Sequence, residues 1–383
     1  MRNKIFAVVI ALVITAIVGS GIYVLVLPES EYEEVNWETY EHTDAYDYRY
    51  YLGLEKKEKI AYENILNNYL TFPERIEVPG LSDDELKEVF TALLYDNPLL
   101  FCFDKNCKIL SSGSKFYFKP QYTMSKAVYE KRVREIRNLT PDIIANLPAG
   151  DFEVELYLHN YIIDRCTYTD TDSFDETTVY GALIMGKASC EGYSHAMKYL
   201  SDLCQLDCYV LFGSAESKDG IYGNHMWNII TIDGEKYHLD ATWNDTVAKD
   251  DDSEEHRYMY FNVTDEEIKK THSDFETTDN CTSVKSNYYV RNNLSFDSFG
   301  ELEKKSLAKK IAKRADEGYT TIGIRFETDE LFEKTKKELL EEQKIFSILN
   351  EADRISDKKI TTKRFHYRDV DDVKIFEIMF SVV

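Results

Sequence analysis

Residues Ile5 to Leu27 are apolar except for Thr15, Gly19, Ser20 and Gly21. A run of that length can cross a hydrocarbon layer, which needs about 20 residues. Arg2 and Lys4 precede it, and Glu29, Glu31, Glu33 and Glu34 follow it. Positive charge stays on the cytoplasmic side, so the pattern predicts a single-pass anchor within residues 1–28 and an ectodomain outside. The alternative is a signal segment cleaved near Val18-Gly19-Ser20, giving a secreted chain. Residues 29–50 are acidic and Tyr-rich, as in a solvated stalk. Residues 51–149 are predicted to be mostly helical, with helical spacing over Lys56 to Leu70, Ser82 to Leu94 and Ser125 to Ile144. Leu99 to Phe103 and Lys115 to Phe118 read as a pair of strands.

The pattern sharpens from Asp151, where Leu158, Ile162 and Cys166 mark one stripe of a helix. Cys190, Tyr193, Met197, Leu200 and Cys204 recur at spacings of three and four, one face of a second helix. Cys208 to Phe212 is a continuous apolar strand ended by Gly213. His225 to Ile232 and Glu235 to Asp240 flank Asp233-Gly234, a strong hairpin signal. Tyr258 to Val263 reads as a further strand. A helix followed by antiparallel strands implies an α+β domain over 150–285. The remainder, 286–383, is a small C-terminal αβαββ unit with helices over Gly300 to Ala315 and Leu331 to Leu349. Its strands are Thr320 to Phe326, Thr362 to Tyr367 and Val373 to Ser381.

Composition narrows the function classes. The chain has 69 acidic and 46 basic residues, a net charge of −23, and no basic stripe, which argues against nucleic acid as a partner. At 43% hydrophobic and 13% aromatic it is not a disordered polar chain. The seven cysteines form no CxxC pair, so a zinc ribbon and a thioredoxin motif are both excluded. Cys102 with Cys107 and Cys204 with Cys208 are close enough in sequence to be disulfide candidates; buried thiols are the alternative. The run Asp250 to Glu255 lacks EF-hand spacing and reads as a solvated loop.

One segment carries chemistry. Gly186 to Ser189 is a small, polar loop, and a helix begins at or beside Cys190. Free amides and the positive end of the helix dipole there favour thiolate, the nucleophilic form. Gly192, just inside the helix, keeps the approach to the sulfur open. Taken alone, Cys190 reads rather as a core cysteine, since it begins the apolar face of its helix. The hairpin adds to it. With Asp233-Gly234 as a two-residue turn, His225 and Asp240 fall on one sheet face as diagonal neighbours, about 7–8 Å apart. An imidazole oriented by a carboxylate is the partner an activated nucleophile needs.

Cys190 in Ser-Cys-Glu-Gly-Tyr, His225 in Asn-His-Met-Trp-Asn and Asp240 in His-Leu-Asp-Ala-Thr-Trp-Asn resemble the three blocks of the transglutaminase-like superfamily. Within it the chain is most similar to the bacterial cell-surface branch, over about residues 150–265. The resemblance implies a papain-like transglutaminase core, with the Cys-bearing helix packed on an antiparallel sheet. It also implies a Cys-His-Asp triad: Cys190 attacks an amide carbonyl, His225 shuttles the proton and Asp240 holds the imidazole. The thioester would then pass to water, as in a protease or amidase, or to an amine, as in a transamidase.

The Cys190 amide is a natural oxyanion donor. Papain-like proteases place a glutamine six residues before the nucleophile, where this chain has Ile184, so Tyr180 is the candidate substitute, with a packed core tyrosine as the plain alternative. Trp227 and Trp243 match the family's tryptophans as packing around the triad. His195, five positions along the helix, is rotated away from the nucleophile. No cofactor or metal is implied, and no calcium-site residues match. The expected partner is a peptide or protein substrate, with cell-wall-associated groups among the candidates, alongside the membrane itself through the N-terminal segment. The competing function is a non-catalytic cell-surface binding or scaffold protein, to which the extra segments and 28 tyrosines would suit.

Overall fold

The computed structural model describes residues 23–26, 48–105, 107–112, 115–171, 173–216, 222–249 and 257–382. They divide into two compact units. Described residues up to Asn146, with Thr178–Tyr180, form the first; Leu147–Thr177 and the residues from Gly181 onward form the second.

The first unit runs β1 (Tyr23–Val26), α1 (Arg49–Gly53), α2 (Lys56–Asn68), β2 (Ile76–Val78), α3 (Asp83–Asp96), β3 (Lys108–Ser112), β4 (Lys115–Lys119) and α4 (Lys126–Ala145). Its sheet has the order β1-β3-β4-β2. Local signals set the helix starts. Ser82 Oγ accepts from the Glu85 amide and the Glu85 carboxylate accepts from the Ser82 amide, a reciprocal cap on α3. The amides of Tyr50 and Tyr51 donate to Asp96, so α1 borrows its cap from the end of α3. The segment predicted as a strand at Leu99 to Phe103 is instead a set of buried turns, and only Phe103 makes a bridge, to Tyr122. Phe101 and Phe103 are buried among Phe90, Phe118 and Tyr129, so the apolar run reflects burial and not ladder pairing. The strands that do pair with β4 are β3 and β2.

The expectation of a membrane anchor needs correction. Among the described residues no helix is long and apolar enough to cross a membrane. Of the apolar run, residues 23–26 are described, and they are a strand in parallel register with residues 108–111. Backbone groups committed to a neighbouring strand do not continue a spanning helix through Leu27. Residues 1–22 and 27–47, which hold most of the predicted stalk at 29–50, lie outside the described residues, and Arg49 and Tyr50 at its end belong to α1.

The second unit opens with α5 (Asp151–Arg165), β5 (Thr167–Tyr168), a π-helical turn (Gly181–Met185) and β6 (Lys187–Ala188). Then come α6 (Cys190–Leu203), β7 (Cys208–Glu216), β8 (Tyr222–Ile232), β9 (Glu235–Leu239) and α7 (Ala241–Lys249). After these follow β10 (Phe261–Val263), α8 (Asp265–Ile268), β11 (His272–Ser273) and α9 (Tyr288–Arg291). The chain ends in β12 (Ser295–Phe296), α10 (Glu301–Glu317), β13 (Thr321–Phe326), α11 (Asp329–Leu340), α12 (Ile345–Ile355), β14 (His366–Val370) and β15 (Ile375–Met379).

Both helix-bearing layers are α+β. The first sheet runs β10-β9-β8-β7-β11, with neighbours antiparallel, and α6 packs on β7 and β8. Asp233 and Gly234 take φ of 52° and 81°, the pair of positive values a tight hairpin turn demands. Ile232 faces Glu235 and Asn228 faces Leu239, the register expected from the turn. The second sheet runs β12-β13-β15-β14 under α10, α11 and α12. The single helix expected over Leu331 to Leu349 is broken between α11 and α12, where Gln343 has φ of 59° and cannot continue it. Arg325 on β13 donates to Glu267 on α8 at 2.6 Å, a buried pair that ties the tail to the segment ahead of β11. The acidic run at 250–255 lies outside the described residues.

Candidate active site

Cys190 is the first residue of α6 and is partly exposed. Ser189 precedes it in extended conformation but places no side chain over the first turn. Its amide and hydroxyl both donate to the carbonyl of Glu176 instead, at 2.9 and 3.4 Å. The first-turn amides beside the sulfur are therefore not capped by Ser189, and they lie at the positive end of the helix. Asn228 on β8 donates to the Ser194 carbonyl at 3.1 Å, fixing α6 against the sheet. The Tyr193 hydroxyl donates to Asp245 on α7, pinning the other side of the helix.

His225 sits on β8 opposite Gly213 of β7. Its Nε2 lies 2.8 Å from Asp240 Oδ2. The Cys190 thiol is near enough to act on the charge of the same ring. The ring is buried, stacked on Trp227 at 5.9 Å and tilted against Trp243 at 6.0 Å. Burial alone disfavours the imidazolium. The Asp240 carboxylate, with a further contribution from Cys190, outweighs burial and holds the His225 pKa up at about 10.

Asp240 is fully buried, 0% exposed, immediately after β9. Its two oxygens do different work. Oδ1 accepts the Trp243 amide at 3.0 Å, and the Asp240 carbonyl accepts the Asn244 amide at 3.2 Å, so Asp240 caps α7. Oδ2 accepts from His225 and, at 3.1 Å, from Nε2 of His272. Burial works against the carboxylate, but the two imidazoles overcome it and hold Asp240 well below the usual carboxylate range.

The hairpin thus brings His225 and Asp240 together, and α6 brings Cys190 to the same place. Trp227 and Trp243 line the same cluster. Trp227 donates its indole N–H to His238 Nδ1 at 3.0 Å, and Trp243 packs on Tyr260 and His272. Tyr180, in the first unit, gives its hydroxyl to Glu135 at 2.9 Å, with its ring beside Phe101 and the Arg132 guanidinium. His195 faces Glu191 one turn back along α6.

Two residues of the cluster escape sequence reasoning. His272 lies on a two-residue strand with no periodicity to mark it. His238 was more accessible, because it alternates with Asp240 along β9 and so shares its face. Gly213 has a reason to be glycine: a Cβ there would meet the Ser273 carbonyl at 2.6 Å and the Trp227 ring at 2.9 Å. Its absence lets β11 and the indole close over the sheet.

Two trios of possible ligands stand within 4.8 Å of one another: His225, Asp240 and His272, and His238, Asp265 and Cys281. The donor chemistry fits protons and not a cation. The Trp227 N–H requires a lone pair on His238 Nδ1, so the proton is on Nε2, which donates to Asp265 at 2.9 Å. That nitrogen has nothing to offer a metal. In the other trio two N–H groups converge on one carboxylate oxygen at hydrogen-bond length. None of the seven cysteines forms a disulfide.

No protein-family model matches the chain, and no curated protein matches it. Solved structures that resemble part of it include these two. One, from Cytophaga hutchinsonii and provisionally named a cysteine protease, is 14% identical over 28% of this chain and 37% of its own, with a TM-score of 0.25. The other, named a TGase, is 14% identical over 44% of this chain and 50% of its own, with a TM-score of 0.23. The chain spans half or less of either. At that level the likeness adds nothing to the geometry above.

Proposed function

We propose that the chain is a thiol enzyme of transglutaminase-like type that transfers the acyl group of a peptide or protein amide through Cys190. The observation that carries this is the His225–Asp240 pair, 2.8 Å apart and buried, with the Cys190 thiol at the start of α6 near enough to act on the charge of the imidazole. A partly exposed sulfur, an imidazole held protonated to high pH and an uncapped helix start are what such a reaction uses.

Cys190 gives its proton to His225, and Sγ attacks the carbonyl carbon of the amide. The negative oxygen of the tetrahedral intermediate is received by the amide of Cys190 at the start of α6. As the C–N bond breaks, the His225 imidazolium returns a proton to the leaving nitrogen, and a thioester remains. Water or a primary amine then loses a proton to His225 and displaces the sulfur, giving an acid or a new amide. Asp240 keeps the imidazole in place and stabilises its charge throughout, and it is not protonated itself.

The test is incubation of the protein with a peptide library, with and without a primary amine, followed by mass spectrometry. Cleavage, deamidation or amine incorporation that disappears in Cys190→Ala is the expected result. Products that persist in Cys190→Ala overturn the assignment. So does a lack of any product joined to an alkylation profile at Cys190 that His225→Ala leaves unchanged; that pair of results returns the fold to a binding role.

A further inference from the structure

We infer that His272 is a positioning residue of this site, holding Asp240 Oδ2 jointly with His225 so that the carboxylate keeps one orientation and a tempered hold on the imidazole. The inference rests on the assignment of Cys190, His225 and Asp240 as the reacting group.

Both imidazoles reach the same oxygen through Nε2, His225 at 2.8 Å and His272 at 3.1 Å. A carboxylate only accepts, so each of these nitrogens carries its proton. His272 is 1% exposed and Asp240 0%, so neither bond has water as a substitute. The other nitrogen of His272, Nδ1, is 2.9 Å from Thr271 Oγ1. The two rings are 5.3 Å apart, too close for both to be cationic at no cost. Burial lowers the His272 pKa and its neighbours His225 and His238 lower it further, against the pull of Asp240. The positive charge therefore belongs to His225, beside the sulfur. His272 is neutral, donating from Nε2 to Asp240 and accepting at Nδ1 from the Thr271 hydroxyl.

The titratable groups around this pair come from every neighbouring element. They are Cys190 on α6, Tyr168 on β5, His159 on α5, His238 on β9 and Tyr260 beside β10. Of the groups bonded to Oδ2, only His225 also meets the sulfur. With Trp243 on Oδ1, the carboxylate receives three donors from three different segments. Removing His272 takes away one of two claims on Oδ2. The carboxylate becomes more basic, binds the His225 imidazolium harder and is freer to turn.

The experiment compares wild type, His225→Ala, His272→Phe and His272→Gln. Alkylation of Cys190 by iodoacetamide is followed from pH 5 to 11, alongside kcat and KM on any amide substrate found. A hydrogen bond to a charged group is worth about one pH unit or more, so His272→Phe should move the alkaline limb up by about 1 unit. It should lower kcat about tenfold with little change in KM. His272→Gln, whose amide reaches Oδ2, should restore both. Should the Phe variant not fold, His272→Asn replaces it, since its shorter amide meets Thr271 but not Asp240. A His225→Ala profile that overlays wild type overturns the catalytic assignment itself. A changed His225→Ala profile with an unchanged Phe or Asn profile overturns only the role of His272. A shift that Gln fails to reverse also overturns it, since loss of packing would then explain the effect.

Discussion

The backbone amide of Trp243 lies 3.0 Å from Asp240 Oδ1, so the carboxylate that meets His225 is also the cap of a helix. Its rotation is thereby tied to the start of α7. That helix is held in turn by Asn244, which donates to His159 at 3.0 Å and accepts the Tyr260 amide at 2.8 Å.

Asp240→Asn and Asp240→Ala should separate the two duties. Asn is an adequate cap, so Asp240→Asn should cost little stability through α7 while lowering the His225 pKa and cutting acyl transfer by about 10²–10⁴-fold. Ala loses the cap as well, about 1 kcal/mol, and also leaves buried imidazole N–H groups without their acceptor. Urea unfolding and turnover of the two variants check this.

Stability should depend on pH through His225. Its folded pKa is raised to about 10 from an ordinary 6.5, so its contribution is complete below about pH 6.5 and is lost as pH rises through about 10. Asp240 works at the other end: its lowered pKa contributes stability above the usual carboxylate range and loses it as pH falls through the folded value. Urea midpoints at pH 6.5, 8.5 and 10 should fall in the wild type and fall less in His225→Gln.

Native thiols should differ sharply in reactivity. Burial pushes Cys102, Cys107 and Cys281 up to about 12 and Cys208 higher still, and all four are inaccessible. Brief iodoacetamide treatment at pH 7 should label Cys190 first, with Cys204 the other partly exposed thiol. Peptide mapping of alkylated protein reads the order; rapid labelling of Cys208 or Cys281 in folded protein contradicts it.

Gly213→Ala should be costly for so small a change. The new methyl would press on the Ser273 carbonyl and the Trp227 ring, for an expected loss of about 1–3 kcal/mol. Because β11 must move, the alkylation profile of Cys190 should shift in the direction of His272→Phe.

Trp227→Phe removes the N–H that fixes the His238 tautomer. The buried Nδ1 lone pair then has no donor, at about 1–3 kcal/mol. Nitrogen NMR of the histidine rings should show the His238 proton distribution change.

Much of this was legible in residue order. The Asp233-Gly234 turn specifies the register, and register places His225 and Asp240 on one face. The spacing from Cys190 to Cys204 specifies a helix with the sulfur at its start. What the sequence conceals is non-local. His272 joins the site through a strand of two residues paired to Ala215 and Ser214, too short for any period to declare itself. Leu99 to Phe103 misleads in the opposite sense, because a short apolar run is common to buried turns and buried strands. The capping role of Asp240 could have been read from Asp-Ala-Thr-Trp, since Asp followed by three residues able to start a helix is an N-cap signal.

The five-stranded sheet is closed at one edge by β11, which the chain adds after every motif that advertises the chemistry has passed. A shortened protein ending near residue 265 would keep the sulfur, the imidazole and the carboxylate, yet leave β7 as a bare edge and Asp240 with one histidine in place of two. Truncation studies aimed at a minimal active core therefore need to carry the chain beyond Ser273, and its anchorage through Glu267 and Arg325 makes the C-terminal sheet part of that core.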